Sequence, residues 1–411
     1  MNLILINFFS IQKKGFVKFV PNNLTSNQFH LAVSSFNGIP FSGDFVTYYT
    51  NFSTNLETNI GKQLNNNNLH WPNELTYSTH SIISPTVDEF GGLIVASGFL
   101  VPTKTNGGLW YYTFTSADRS QITQNAPYEL SRSVNKQHDW FYHRVKFADI
   151  NGDGSADDLI TCRTYKPIFG STQTELVAFI LDNKSQTFVE NVIMKGGCDI
   201  FFDIVDLDKD GRFEIVAAGF FISQLNIIYS DEKTNSFLNG NAKMITIDSN
   251  AGQLFDIKVE DLDSDNQLEI LATNHQGNSN KIKGALFYYK LKGSNYRNST
   301  WEKFTIYENF PVLKQGINQA APGSATLIYP NLNNTKKELP YILVAGDGAD
   351  YGYLFEPSLS GSNLNYTLTW NYMFSNTVGG VSVADIDGDG FNEFIIAIYE
   401  ANSCFLFSFS P

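Results

Sequence analysis

No stretch of this chain stays apolar for the roughly 18 residues that a membrane-spanning helix needs, so the sequence predicts no helical membrane span. Positive charge is scarce as well. With 28 Lys and Arg against 41 Asp and Glu, the formal charge is −13. That excludes the basic face that nucleic acid or an anionic membrane requires, and makes cations the expected guests. Cys162, Cys198 and Cys404 are the only cysteines. They lie far apart and in odd number, which supports neither a disulfide framework nor a Cys-rich zinc site and reads as small buried thiols. Apolar spacing at the helical period is almost absent, which argues against a helical core. Material for burial is plentiful: hydrophobic residues make up 42% and aromatics 14% of the chain, a globular rather than a disordered composition.

A length of 411 residues is more than one small core usually holds, unless a repeat lets one architecture grow. Such a repeat is present. The stretch "DLDKDGRFE" at Asp206 recurs as "DINGDGSAD" at Asp149, "DLDSDNQLE" at Asp261 and "DIDGDGFNE" at Asp385. Each copy is preceded by alternating or apolar residues and followed by a β-rich run such as "IVAAGF" or "FIIAIY", which reads as strand, tight loop, strand. Weaker echoes start at Val20, at Ser84 and at Tyr329, the last with Asn331, Asn333 and Thr335 in place of the acids.

The loops begin near residues 22, 84, 149, 206, 261, 331 and 385, in steps of 54 to 70 residues, the size of a four-stranded propeller blade. The expected fold is therefore all-β: one domain over 1–411, a seven-bladed β-propeller of four-stranded antiparallel blades. "SCFLFSFSP" leaves the last blade a strand short, and "NLILINFF" can supply it and close the ring. The same N-terminal residues 1–11 also fit a secretion signal, although no basic residue precedes the apolar run and no small-residue cleavage site follows it. Sequons at Asn23, Asn51, Asn183, Asn298, Asn333 and Asn365 permit glycosylation.

Carboxylates at positions 1, 3 and 5 of a tight loop, a carbonyl at position 7 and an acid at position 9 make the oxygen-only shell that calcium prefers; magnesium favours fewer carboxylates and more water. The predicted ligands are Asp149, Asn151, Asp153, Ser155 and Asp157; Asp206, Asp208, Asp210, Arg212 and Glu214; Asp261, Asp263, Asp265, Gln267 and Glu269; and Asp385, Asp387, Asp389, Phe391 and Glu393. Position 6 needs positive φ and is Gly154, Gly211, Asn266 or Gly390. Position 12, where an EF-hand requires glutamate, is Ile160, Ala217, Ala272 or Ile396, so these are not EF-hands. The four loops hold 15 of the 41 acids, and four Ca²⁺ ions would bring the charge from −13 to −5.

At these residues the sequence resembles the FG-GAP/VCBS-type repeat proteins, whose blades carry a D-x-D-x-D-G-x-x-[DE] calcium hairpin. The Phe-Gly and Gly-Ala-Pro signatures are poorly kept, with "GF" at Gly98 and Gly219 and "AAPG" at 320–323 as the nearest approaches. The resemblance implies a calcium-stabilised propeller working outside the cytosol. It also implies either a carbohydrate- or protein-binding module with a glycan or extracellular protein ligand, or a lyase or dehydratase acting on a sugar. A purely architectural ring is a third reading, since fold does not select function.

Connections alternate ends in an up-and-down blade, so a ligand is expected at the end opposite the acidic loops. Candidates there are Trp140, Tyr142 and Tyr165 for stacking on a sugar, and Asp139, Arg163, His275 and Asp350 for its hydroxyls. An enzyme would draw a general base from His138, His143 or His275, with Tyr165 or Lys166. No nucleophile elbow, zincin helix or phosphate-cradling glycine loop is found.

Overall fold

A computed structural model describes residues 2–10, 14–24, 28–35, 37–54, 60–132, 138–182, 184–185, 187–232, 236–277, 283–313, 320–333, 338–361 and 363–410. Seven antiparallel sheets, each built on a run of four strands, form a seven-bladed β-propeller. The chain packs as two compact units, one of residues 1–195 with 380–411 and one of residues 196–379.

In the first unit, blade one comprises Val17–Pro21, Phe29–Ser35, Phe45–Tyr49 and Lys62–Leu64. Blade two comprises Pro72–Ser78, Gly92–Ser97, Gly108–Thr113 and Tyr128–Arg132, and blade three Phe141–Ala148, Asp158–Tyr165, Gln173–Asp182 and Thr187–Lys195. Blade seven has Val378–Ala384, Glu393–Ile398 and Ser403–Ser410, and its fourth strand is Asn2–Ser10, which pairs antiparallel with Ser403–Ser410. The N-terminal run is thus the closing strand. In the second unit, blade four comprises Phe201–Val205, Glu214–Ala218, Leu225–Ser230 and Ala242–Asp248. Blade five comprises Gln253–Glu260, Glu269–Gly277, Ala285–Lys292 and Thr300–Tyr307, with the short strand Ala320–Ala321 also pairing its second strand. Blade six comprises Ala325–Ile328, Tyr341–Ala345, Tyr351–Ser360 and Asn363–Met373.

Each loop start expected from the sequence lies between the first and second strands of its blade. Thr335 lies outside the described residues. Middle strands such as Gly92–Ser97 and Glu393–Ile398 are buried along their whole length, which is why they read as unbroken apolar runs, whereas the outer strands Thr187–Lys195 and Asn363–Met373 alternate. Apolar faces of adjoining blades make the cores: Val20, Val46, Leu93 and Trp110 join blades one and two, and Leu225, Ile257, Ile270 and Phe287 join blades four and five. No helix among the described residues is long and apolar enough to cross a membrane.

One expectation is corrected. Cys162 and Cys198 are buried as expected, but both are disulfide-bonded, and only Cys404 is a free buried thiol. Isolated cysteines carry no pairing signal in the sequence, because spacing alone does not say which thiols a fold brings within bonding reach.

Candidate metal centres and the opposite loop face

The acidic loops share one hydrogen-bond design. Position 1 collects backbone donors from the turn: Asp206 accepts from the Asp210 and Gly211 amides at 3.0 and 2.9 Å, and Asp385 from Gly388 and Gly390 at 2.7 and 3.1 Å. Position 5 accepts from the position 7 amide, as in Asp210 from Arg212 at 2.9 Å and Asp389 from Phe391 at 2.7 Å. Position 9 reaches back across the hairpin: Oε2 of Glu214, Glu269 and Glu393 accepts from the amides of Leu207, Leu262 and Ile386 at 2.9, 2.8 and 2.9 Å. The glycines at position 6 adopt φ of 94°, 85° and 86°, and Asn266 adopts 72°, where only Gly and Asn are at ease. Asn266 also gains a partner that glycine lacks, since Lys209 Nζ of the blade-four loop donates to its carbonyl and to Oδ1, both at 2.7 Å.

This scaffold aims the remaining carboxylate oxygens at common points. Asp206, Asp208 and Asp210, then Asp261, Asp263 and Asp265, then Asp385, Asp387 and Glu393, each offer oxygens that all lie within 4.8 Å of one another. Burial pushes Glu214, Glu269 and Glu393 up to about 7, and neighbouring aspartates add to the rise. Glu269 Oε1 is fully buried yet accepts no hydrogen bond. Clustered oxygen-only donors of this kind, buried at Asp261, Asp263 and Glu393 and half-buried or exposed at the others, fit a hard divalent cation.

The blade-three loop departs from the pattern. Its ninth residue, Asp157, does not lock the hairpin; Asp158 does, accepting from Ile150 and Asn151 at 2.9 and 3.0 Å. An aspartate one residue further along takes the hairpin-locking place that the longer glutamate holds in the other loops. Asn151 Nδ2 donates to Asp153 Oδ2 at 2.9 Å, and this loop is not among the three-carboxylate clusters found in the described residues. In blade two Asp88 itself is the hub of the turn. It accepts from Ile82 and Ser84 amides, Ser81 and Tyr111 at 2.7 to 2.9 Å. Burial acts to raise its pKa, but these bonds outweigh it and hold the carboxyl low.

The opposite loop face redistributes the ligand candidates. Trp140, Tyr142 and Arg163 are buried, and Arg163 binds Glu175 at 2.5 Å and Glu190 at 3.0 Å while lying 4.6 Å over the Trp140 ring. These three are therefore interior, and the Arg163 guanidinium is committed to other side chains. What emerges is Asp139, which is exposed, and the half-buried Tyr165, whose ring stacks on His138 at 4.4 Å. Lys166 is exposed beside them.

His143 is also buried, and burial pushes its imidazole down to about 3, with Glu74 opposing and Arg144 adding, so it is no base at neutral pH. The depressed value has a stability consequence. Below its ordinary value of 6.5 the unfolded chain takes a proton that the fold refuses, so stability is complete above pH 6.5 and is lost as pH falls toward 3. Acidification from pH 7 to 5 should therefore cost about 2 kcal/mol through this residue. His143→Phe should show that much less acid sensitivity in urea melts, and an identical pH profile would exclude the attribution.

In the second unit His275 is buried, stacked on Phe255 at 4.1 Å and edge-on to Phe220 at 5.4 Å. Its Nε2 lies 3.3 Å from Asp347 Oδ2. Asp347, which sequence reading passed over, is the first of two aspartates in the blade-six turn with positive φ, 52° for Asp347 and 60° for the buried Asp350. Aspartate tolerates this region better than most residues, but two in one turn store local strain.

No protein-family model matches the chain, and no curated protein does. Solved structures similar to it include a glucose dehydrogenase, at 11% identity and a TM-score of 0.45 over 85% of this chain and 99% of that one. Another is the soluble aldose sugar dehydrogenase of Escherichia coli, at 12% identity and a TM-score of 0.43 over 84% and 97%. The likeness is one of fold alone.

Proposed function

We propose that the protein is a calcium-braced propeller of the FG-GAP/VCBS kind that acts on a carbohydrate outside the cytosol, with His275 and Asp347 as its proton-transferring pair. The observation that carries this reading is the 3.3 Å His275–Asp347 contact, placed in a strained turn at the blade end away from the acidic loops. A carboxylate this close to an imidazole can hold the orientation of the ring while the ring passes a proton. Abstraction of a sugar C–H proton followed by elimination, the lyase or dehydratase step, needs such a group. That Cys162 and Cys198 are each disulfide-bonded supports an oxidising compartment, where millimolar calcium would also fill moderate-affinity loops.

Incubating the chain with a panel of neutral and uronate-bearing oligosaccharides and following new unsaturated ends tests the proposal. His275→Gln and Asp347→Asn should each slow turnover by about 100-fold or more with the melting temperature little changed. A wild-type chain inert across the panel would sink the enzymatic reading.

A binding module is the second reading, and it is favoured by a different observation, the exposed Asp139 beside the Tyr165–His138 stack. It predicts calcium-dependent signals on a glycan array that weaken in Tyr165→Ala.

A further inference from the structure

The three carboxylate clusters are alike in sequence but not in what stands across the strand from their ninth residue. In blade seven Glu393 pairs with Ser408, whose hydroxyl donates to Glu393 Oε1 at 2.7 Å. In blade four the ladder that pairs Ile215 with Ile228 sets Tyr229 opposite Glu214, and Glu214 Oε1 accepts from Tyr296 at 2.9 Å. In blade five the ladder that pairs Ile270 with Tyr289 sets Lys290 opposite Glu269. Its ammonium enters the loop. Lys290 Nζ contacts Asp263 Oδ2, lies 2.7 Å from Asp265 Oδ2 and 3.6 Å from Glu269 Oε1, the last being the buried oxygen that accepts no hydrogen bond. One cation from outside the loop thus meets three of its four acids.

The basic residues of the blade-four loop behave differently. Lys209 reaches away to Asn266, and Arg212 pairs with Asp210, both side chains of that pair being partly exposed, at 29% and 30%. A guanidinium held there is solvent-screened and free to swing out, whereas Lys290 extends from the strand Ala285–Lys292 toward a glutamate with no exposure.

We propose that the Lys290 ammonium is the resident cation of the blade-five loop, which therefore closes without a divalent ion and accepts one only by expelling Lys290. The inference rests on the calcium reading of the loops in blades four and seven and assigns the blade-five loop a separate, weaker class. It makes Lys290 the residue that sets how many ions the propeller holds.

The test uses the full chain stripped of metal and titrated with Ca²⁺ by calorimetry. Lys290→Met keeps the aliphatic stem and removes the charge. It should bind one more equivalent than wild type, with the added site at least about tenfold tighter than any blade-five binding in the wild type. Asp263→Asn in the Lys290→Met background should abolish the gain. Lys290→Arg, which keeps the charge, should give the wild-type count, and guards against a general packing effect of the substitution. Equal counts and affinities in wild type and Lys290→Met, with binding intact at blades four and seven, would overturn the inference alone. No calcium binding in either chain would overturn it together with the calcium reading.

Discussion

Chelation with EDTA is expected to lower the melting temperature of the purified chain, and added calcium, but not magnesium, is expected to restore it. An ion that binds only the folded loop stabilises the fold by mass action, about 3–4 kcal/mol per site when its concentration exceeds Kd by 100- to 1,000-fold. The loops in blades four and seven are the ones expected to respond, since each gathers three carboxylates within 4.8 Å. Asp206→Ala/Asp208→Ala should reproduce part of the loss, with one refinement. Asp206 also accepts two backbone amides at 3.0 and 2.9 Å, so its removal costs something even without metal. Asp208 makes the cleaner probe: Asp208→Ala should melt below wild type in calcium and nearly with it in EDTA. Superimposable wild-type melts with and without the chelator would remove calcium from the account.

The second large effect is expected at a buried ion pair. Lys104 Nζ and Asp44 Oδ2 lie 2.8 Å apart with side-chain exposures of 1% and 0%. Lys104 also donates to the Asn37 carbonyl at 2.6 Å and to Ser42 Oγ at 3.0 Å, and Asp44 accepts from the Asn37 and Trp71 amides at 2.7 and 2.8 Å. The last bond holds Trp71 at a φ of 47°, a conformation that a bulky residue adopts only when its surroundings impose it. Asp44→Ala would strand a buried ammonium and release Trp71, a loss of about 3–5 kcal/mol. Asp44→Ala/Lys104→Met should recover much of it, because an apolar pair of similar volume needs no compensating charge. A loss under about 1 kcal/mol for the single change in urea unfolding would show that water already compensates the pair. The pair lines a cavity of about 530 Å³ bordered by Phe41, Gln63, Asn66 and His70. With the ammonium engaged by three acceptors, Lys104 is occupied with structure there.

The blade count was legible because each blade repeats the same local statement: an alternating inner strand, a turn with fixed chemistry, and a fully apolar middle strand. Asn2–Ser10 could be placed as a closing strand for a similar reason, since an open blade edge has to be paired. The acidic turns were legible because each loop carries its carboxylates within nine residues. In blade three the carboxylate that locks the hairpin is Asp158 rather than Asp157, since one added residue moves it without altering the look of the motif. The ligand face was read least well. Trp140, Tyr142 and Arg163 have the composition of a binding site, and the fold uses them as interior, where an arginine paired with Glu175 and Glu190 can be buried without an uncompensated charge.

Local order along the chain therefore suffices for the seven strand-loop-strand units, the acidic turns and the side of each blade they occupy, because hydrogen bonds within a hairpin are set by residues a few positions apart. Contacts between distant segments lie beyond it. Lys290 enters the loop of Asp261–Glu269 because the third strand of blade five pairs beside the second, whereas Lys209 reaching Asn266 57 residues away and His275 meeting Asp347 72 residues away arise when blades pack side by side. No spacing rule in one dimension encodes which side chains then become neighbours. Where the acids lie is a property of the chain; which cation answers each of them, and which histidine has a carboxylate partner, are properties of the packed blades.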